Sequence, residues 1–92
     1  MAEVLEKYTL YRGRPLVKSG SIICLGDPSE RAIAVFTVLT FKEVKGNEVP
    51  DLIFMQVIDT KTNDVLKQAE RNGLYNALDL GSVWLERELK KF

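Results

Sequence analysis

Histidine is absent from this chain of 92 residues, and cysteine occurs only once. The lack of histidine excludes the commonest general base, the commonest metal ligand and the usual partner of a catalytic serine or cysteine. One cysteine together with carboxylates does not form the usual zinc site. Cys24, among apolar neighbours, is predicted to be a small buried hydrophobe. We therefore predict no catalytic residue, no cofactor and no metal, and we expect a protein that is not an enzyme.

Net charge is also lacking, because thirteen basic and thirteen acidic side chains cancel. No overall field draws such a protein to nucleic acid or to an anionic membrane. Its apolar runs are much shorter than the roughly 20 residues that cross a bilayer. Its first residues lack the basic and apolar regions of a signal peptide, and a single cysteine forms no internal disulfide. We expect a cytoplasmic protein with no membrane partner.

The patterns that are present indicate a single α+β domain over residues 1–92. Short runs of β-forming residues come first, and two long strands follow, at about Ala32–Val44 and Val49–Thr60. After Thr60 the period changes from two to 3.6 residues, which predicts a short helix over Asp64–Arg71 and a second helical pattern from Leu74 to about residue 91. Whether these are two helices or one kinked helix is open. Strands first and helix last favour an antiparallel β-meander of about four strands, covered on one face by the C-terminal helix in two layers.

The two long strands mirror each other about Gly46-Asn47. If these two residues are the loop of a hairpin, Lys45 faces Glu48 and opposite charges meet across the strands. Glycine at the first loop position suits a type II′ turn. This register fixes which side chains share a face of the sheet.

Both faces of the predicted hairpin are apolar. The face with an unbroken apolar centre is assigned to the helix and carries Ala34, Phe36, Val38, Ile53, Met55 and Val57. The other face brings together four large side chains, Leu39, Phe41, Leu52 and Phe54. Antiparallel sheets commonly leave one face exposed to solvent. Four large apolar side chains clustered on such a face are more than isolated surface hydrophobes account for. Either the N-terminal strands fold over this patch or another chain does, so we predict a partner interface at these four residues.

One segment suggests an alternative partner. Its basic and aromatic residues are Lys7, Tyr8, Tyr11, Arg12, Arg14 and Lys18, with no acidic residue among them. Aromatic stacking combined with phosphate contacts is how sheets hold single-stranded nucleic acid. The other interpretation of this segment is a solvated strand edge whose charges discourage edge-to-edge pairing.

Three segments carry a resemblance to a known family. The segment from Tyr8 to Val17, YTLYRGRPLV, and the helical segments GLYNALD from Gly73 and VWLER from Val83 resemble a family of short proteins from anaerobic Gram-positive bacteria with no established activity. The resemblance covers nearly the whole chain. It implies only a stand-alone bacterial cytoplasmic protein of unknown role, and no activity, cofactor or site residue is carried over from the family.

These observations favour a non-enzymatic protein-interaction domain that self-associates as a homodimer or binds an unknown protein partner. Single-stranded nucleic-acid binding through residues 7–18 is the alternative, and a role in small-molecule binding or catalysis is third. A deep pocket lined by convergent polar groups would favour the third.

Overall fold

The chain forms an antiparallel sheet with one helix on one side of it. The computed structural model describes residues 8–91. Its elements are β1 (Tyr8–Tyr11), β2 (Arg14–Ser19), β3 (Ile22–Leu25), β4 (Ala32–Val38), β5 (Phe41–Val44), β6 (Asn47–Pro50), β7 (Leu52–Asp59), β8 (Val65–Asn72) and α1 (Leu74–Leu89). Six strands pair in the order β1-β2-β3-β4-β7-β8, and β5 pairs only with β6. The α+β class, the antiparallel sheet and the C-terminal helix are confirmed, but the described residues form eight strands rather than about four.

The long hairpin turns earlier in the chain than predicted. Its two-residue loop is Lys45-Gly46 instead of Gly46-Asn47, and φ is 52° at Lys45 and 84° at Gly46. Type I′ turns need positive φ at both loop positions and favour glycine at the second. Glu43 therefore lies opposite Glu48, and the predicted pairing of Lys45 with Glu48 is wrong. Because the shift moves each partner by two residues, every side chain keeps its predicted face.

Helix α1 buries the face of the sheet that the sequence assigned to it. The buried core on this side consists of Ile23, Leu25, Ala32, Ala34, Phe36, Val38, Ile53, Met55 and Val57 from the sheet, with Ala77, Leu78, Trp84 and Leu85 from the helix. The helix approaches the sheet most closely at Gly81, where an added Cβ would lie 2.6 Å from Cε2 of Phe36. Among residues 8–91, no helix has the length and apolarity that crossing a bilayer requires.

Residues Val65–Asn72 form the edge strand β8, so the predicted helix over Asp64–Arg71 is wrong. The strand has a bulge, because Val57 pairs with Lys67 while Ile58 pairs with Val65. The extra residue, Leu66, packs against the core, as does Ala69 three positions later. The bulge therefore puts two core-facing residues three positions apart, a spacing that is typical of a helix. The open question about two helices is settled in favour of the single helix α1.

Strands β1, β2 and β3 lie beside β4 and extend the sheet. They do not fold over its second face. The described chain is consequently a slab with principal extents of 44 × 33 × 21 Å. One broad side of the slab is the helix layer, and the other is bare sheet.

Candidate interaction surface

The bare side of the sheet, which we call the open face, collects every second residue of each strand. Val35 is paired with Cys24 and Gln56 on its neighbouring strands, and these side chains point away from the helix. Phe54, by the same alternation, lies on this face, opposite Thr37. Side chains of one strand alternate between the two faces, so β4 and β7 each contribute both to the core and to this surface.

The open face is apolar across its four central strands. From β2, β3, β4 and β7 it carries Pro15, Val17, Ser19, Ile22, Cys24, Ile33, Val35, Thr37, Leu52, Phe54, Gln56 and Ile58. None of these residues has a charge. Polar side chains stand at the edge, because Gln68, Glu70 and Asn72 of β8 share this face. The centre is thus uncharged and mainly apolar, with Thr37 and Gln56 as polar positions, and polar side chains stand at one edge. Protein interfaces commonly combine an apolar core with a polar rim.

Leu39, Phe41, Leu52 and Phe54, the predicted interface residues, lie along one end of the open face. Leu39 and Phe41 are 48% and 51% exposed, whereas Leu52 and Phe54 are half-buried. The backbone NH of Leu39 donates to the carbonyl of Leu52 at 2.8 Å, which continues the hairpin past the end of β4. None of the strands or helices within residues 8–91 is stacked on this side of the sheet. A partner interface at these four residues stays a prediction.

Strands β5 and β6 continue beyond this end as a two-stranded ribbon, which we call the arm (residues 41–50). All of β5 is exposed, and the arm pairs with no other strand of the described chain. Lys42 approaches Asp51 at 4.0 Å, the longest of the ion pairs among residues 8–91. An isolated two-stranded hairpin is only marginally stable in water, so the arm gains from any surface that packs against it.

An apolar groove of about 450 Å³ lies at the opposite end of the open face. Its lining residues are Pro15, Val17, Cys24, Gly26, Asp27, Pro28 and Ile33. Cys24 is half-buried there, and this burial raises the pKa of its thiol. The thiol therefore stays protonated at neutral pH and serves as part of an apolar lining.

Sequence reasoning did not include β3 in this surface. Ile22 is 44% exposed, and Cys24 lines the groove, while Ile23 and Leu25 between and after them are buried in the core. The run Ile22–Leu25 already indicated this, because a short strand with apolar residues at both odd and even positions has two apolar faces. The patch therefore continues well beyond the four predicted residues.

Among the described residues of the basic segment, Tyr11, Arg14 and Lys18 lie on the helix side of the sheet. Tyr11 donates a hydrogen bond to Asp79 Oδ1 on the helix at 2.5 Å, and Arg12 binds the same oxygen at 2.9 Å. These two contacts lower the pKa of Asp79, and the hydrogen bond to Asp79 raises the pKa of Tyr11. Arg14 pairs with Glu30 at 2.8 Å. Three of the predicted nucleic-acid contacts are thus already used within the chain.

The remaining residues of that segment are less informative. Lys18 is exposed and lies opposite Ile23, on the helix side of the sheet. Lys7 and the side chain of Tyr8 lie outside the described residues. Nucleic-acid binding through residues 7–18 stays a prediction, as does the absence of catalytic function.

No family model, curated protein or solved structure matches this chain. The resemblance to a family from anaerobic Gram-positive bacteria stays a prediction. Function has to be argued from the surfaces themselves.

Proposed function

We propose that this chain is a non-enzymatic protein-interaction domain that self-associates through the open face of its sheet. The observation that carries the proposal is the uncharged surface of β2, β3, β4 and β7, where Ile22 is large, apolar and exposed. Beyond one end of these strands, the arm adds the exposed Phe41 of β5. Burial of such surface contributes about 25 cal/mol per Å². A face of this kind is therefore stabilised by contact with another apolar surface.

Face-to-face packing of two sheets is a common way to bury this type of surface. Two sheets pack about 10 Å apart and form a core from their facing side chains, as in β-sandwiches. Two copies of this chain would give four layers, with a helix on each outer side. Because most homodimers have two-fold symmetry, the same patch serves both partners.

The proposal is tested by measuring the mass of the protein in solution. Sedimentation equilibrium at tens of micromolar should give a dimer for the unmodified chain. Phe54→Lys should give a folded monomer, because the desolvation penalty of a lysine in the interface exceeds the Coulombic gain from its cross-strand neighbour Glu70. Phe41→Lys, at a more exposed position, is a second variant in case Phe54→Lys does not fold.

Tyr75→Lys is the matched control. Tyr75 is 76% exposed on the helix, so this variant makes the same change from aromatic to lysine away from the open face. It should remain dimeric. An unmodified protein that is monomeric at these concentrations, or a Phe41→Lys variant that stays dimeric, would contradict the proposed interface.

The nucleic-acid alternative is separated on the same samples. Binding of a single-stranded oligonucleotide that weakens steeply with salt, and that Lys18→Gln reduces, would favour it. Under the proposed function no such binding is expected.

A further inference from the structure

The open face has the arm at one end and the apolar groove at the other. Strand β4 connects them, because Ile33 near its start lines the groove, while Leu39 and Phe41 follow its end. From Ile33 to Phe41 the chain advances about 26 Å at about 3.3 Å per residue. The two features therefore lie at opposite ends of one strand, on one face.

A two-fold rotation that reverses the strand direction brings these features together. If β4 of one copy lies over β4 of the other, antiparallel to it and centred on Thr37, Phe41 comes to the level of Ile33 in the partner copy. Leu39 comes to the level of Val35, which is paired with Cys24. Each arm then meets the groove of the other copy, and the two contacts are equivalent, as a closed symmetric dimer requires.

The groove suits the arm side chains that this arrangement places against it. Its volume of about 450 Å³ is within the range of sites that hold organic groups. Its lining from Pro15, Val17 and Ile33 is apolar and suits an aromatic side chain. The one charged residue of the lining, Asp27, is exposed and accepts hydrogen bonds from the backbone NH and the hydroxyl of Ser29.

The available area also fits a second copy. The strands of the six-stranded sheet cover about 600 Å² in projection at about 4.8 Å between strands, and the arm adds about 100 Å². Because side chains corrugate the face, its accessible area exceeds this projection. A standard interface buries about 800 Å² on each partner, so two open faces with their arms reach the area of a stable dimer.

We propose that two copies pack open face to open face with antiparallel strands, so that Phe41 on the arm of each copy fills the groove of the other. This arrangement rests on the proposed function and specifies its partner and orientation. The arm is then the element that selects a second copy, because it supplies the group that the groove receives.

A pair of introduced cysteines provides a direct test, with the single native cysteine removed by Cys24→Ser. Val35 and Leu39 are too far apart for a disulfide within one copy, because they lie about 13 Å apart along the strand and a disulfide needs Cα atoms within about 7 Å. In the proposed dimer, Leu39 of one copy lies directly over Val35 of the other. Disulfides between facing strands of packed sheets are known in β-sandwiches.

Val35→Cys/Leu39→Cys, made in the Cys24→Ser background, should therefore form disulfides between the introduced cysteines of different copies under mild oxidation. Most of the protein should run at twice the monomer mass of 10.4 kDa without reductant, and peptide mass spectrometry should identify the bond. The unmodified chain and Val35→Cys/Val65→Cys in the Cys24→Ser background are the controls. Val65 is 47% exposed on the open face but lies on the edge strand β8, away from the groove of the partner. Both controls should remain largely uncrosslinked.

The outcomes separate the two proposals. A dimeric protein in which Val35→Cys/Leu39→Cys forms no disulfide between copies, or in which Val35→Cys/Val65→Cys crosslinks as well, would overturn the antiparallel arrangement while leaving self-association in place. An unmodified protein that is monomeric at tens of micromolar would overturn both.

Discussion

The two faces of the sheet differ in coverage much more than in composition. Strand β4 is apolar at every position except Thr37, yet Phe36 is fully buried under the helix while Val35 beside it is only half-buried. Antiparallel sheets with one wet face usually alternate apolar and polar residues. Strand β4 lacks this alternation, so both faces of the sheet are apolar there. An apolar face has to be covered to leave water, and the helix covers only one of the two.

The largest expected effect tests this difference with one substitution at two positions. Phe36→Ala should lower the free energy of unfolding by about 3–5 kcal/mol, because a fully buried phenylalanine leaves a cavity. Phe41→Ala should change it by less than about 0.5 kcal/mol in the monomer, because Phe41 is half exposed on the arm. Urea denaturation followed by Trp84 fluorescence, below micromolar concentration, compares the two. Similar losses would show that both faces are core.

The next largest effect concerns how the helix covers its face. Gly81→Ala should lower the free energy of unfolding by about 1–2 kcal/mol, since the new methyl group collides with the ring of Phe36. Without this collision, alanine would stabilise the helix by about 1 kcal/mol, so the two interpretations differ in sign. Glu86→Ala, at an exposed position of the same helix, is the control and should stay within about 0.5 kcal/mol.

A third test concerns the loop between β7 and β8. Asp59 is 4% exposed, and a hydrogen bond from Arg31 Nε, together with the backbone NH groups of Lys61 and Thr62, holds the pKa of its carboxyl below the ordinary value. A lowered pKa in the folded state means that the charged form stabilises the fold. The stabilisation is complete above the unfolded pKa of about 3.9 and is lost as pH falls through the folded value.

Asp59→Asn should therefore lower the melting temperature at pH 7, and its difference from the unmodified protein should shrink in acid below about pH 4. Thermal unfolding between pH 7 and pH 2 measures this difference. Arg31→Met should raise the pKa of the Asp59 carboxyl in an NMR titration. A difference in melting temperature that stays constant down to pH 2 would contradict the role given to the charge.

The two faces could be predicted from the sequence because side chains alternate with a fixed period of two. The assignment of side chains to faces held despite the error in register, because a shift of two residues changes the cross-strand partners but not the faces. The register itself could not be predicted, because Gly46 suits the first position of one turn type and the second position of another. The cross-strand pairs that would decide between them each contribute only roughly 0.2–1 kcal/mol.

Other features depended on tertiary structure. The bulge at Leu66 gave β8 a helical spacing that no local pattern distinguishes from a helix. The extent of the candidate surface depended on whether β3 would extend the sheet or fold over it. Leu39, Phe41, Leu52 and Phe54 were identified as a patch, whereas the groove that includes Cys24 needed the strand order.

The smallest expected effect sharpens the comparison at the arm, where the two registers predict opposite signs. In the structure Glu43 lies directly opposite Glu48, and like charges in this position are destabilising. Glu48→Lys should therefore stabilise the arm by roughly 0.2–1 kcal/mol, and Glu48→Gln should stabilise it by less. Amide hydrogen exchange in β5 and β6 at low micromolar concentration measures this, because the arm opens independently of the core. In the register predicted from the sequence, Glu48 instead faces Lys45, and the same substitution would place two cations together. Faster exchange in the arm of Glu48→Lys would thus restore that register, and slower exchange would support the turn at Lys45-Gly46.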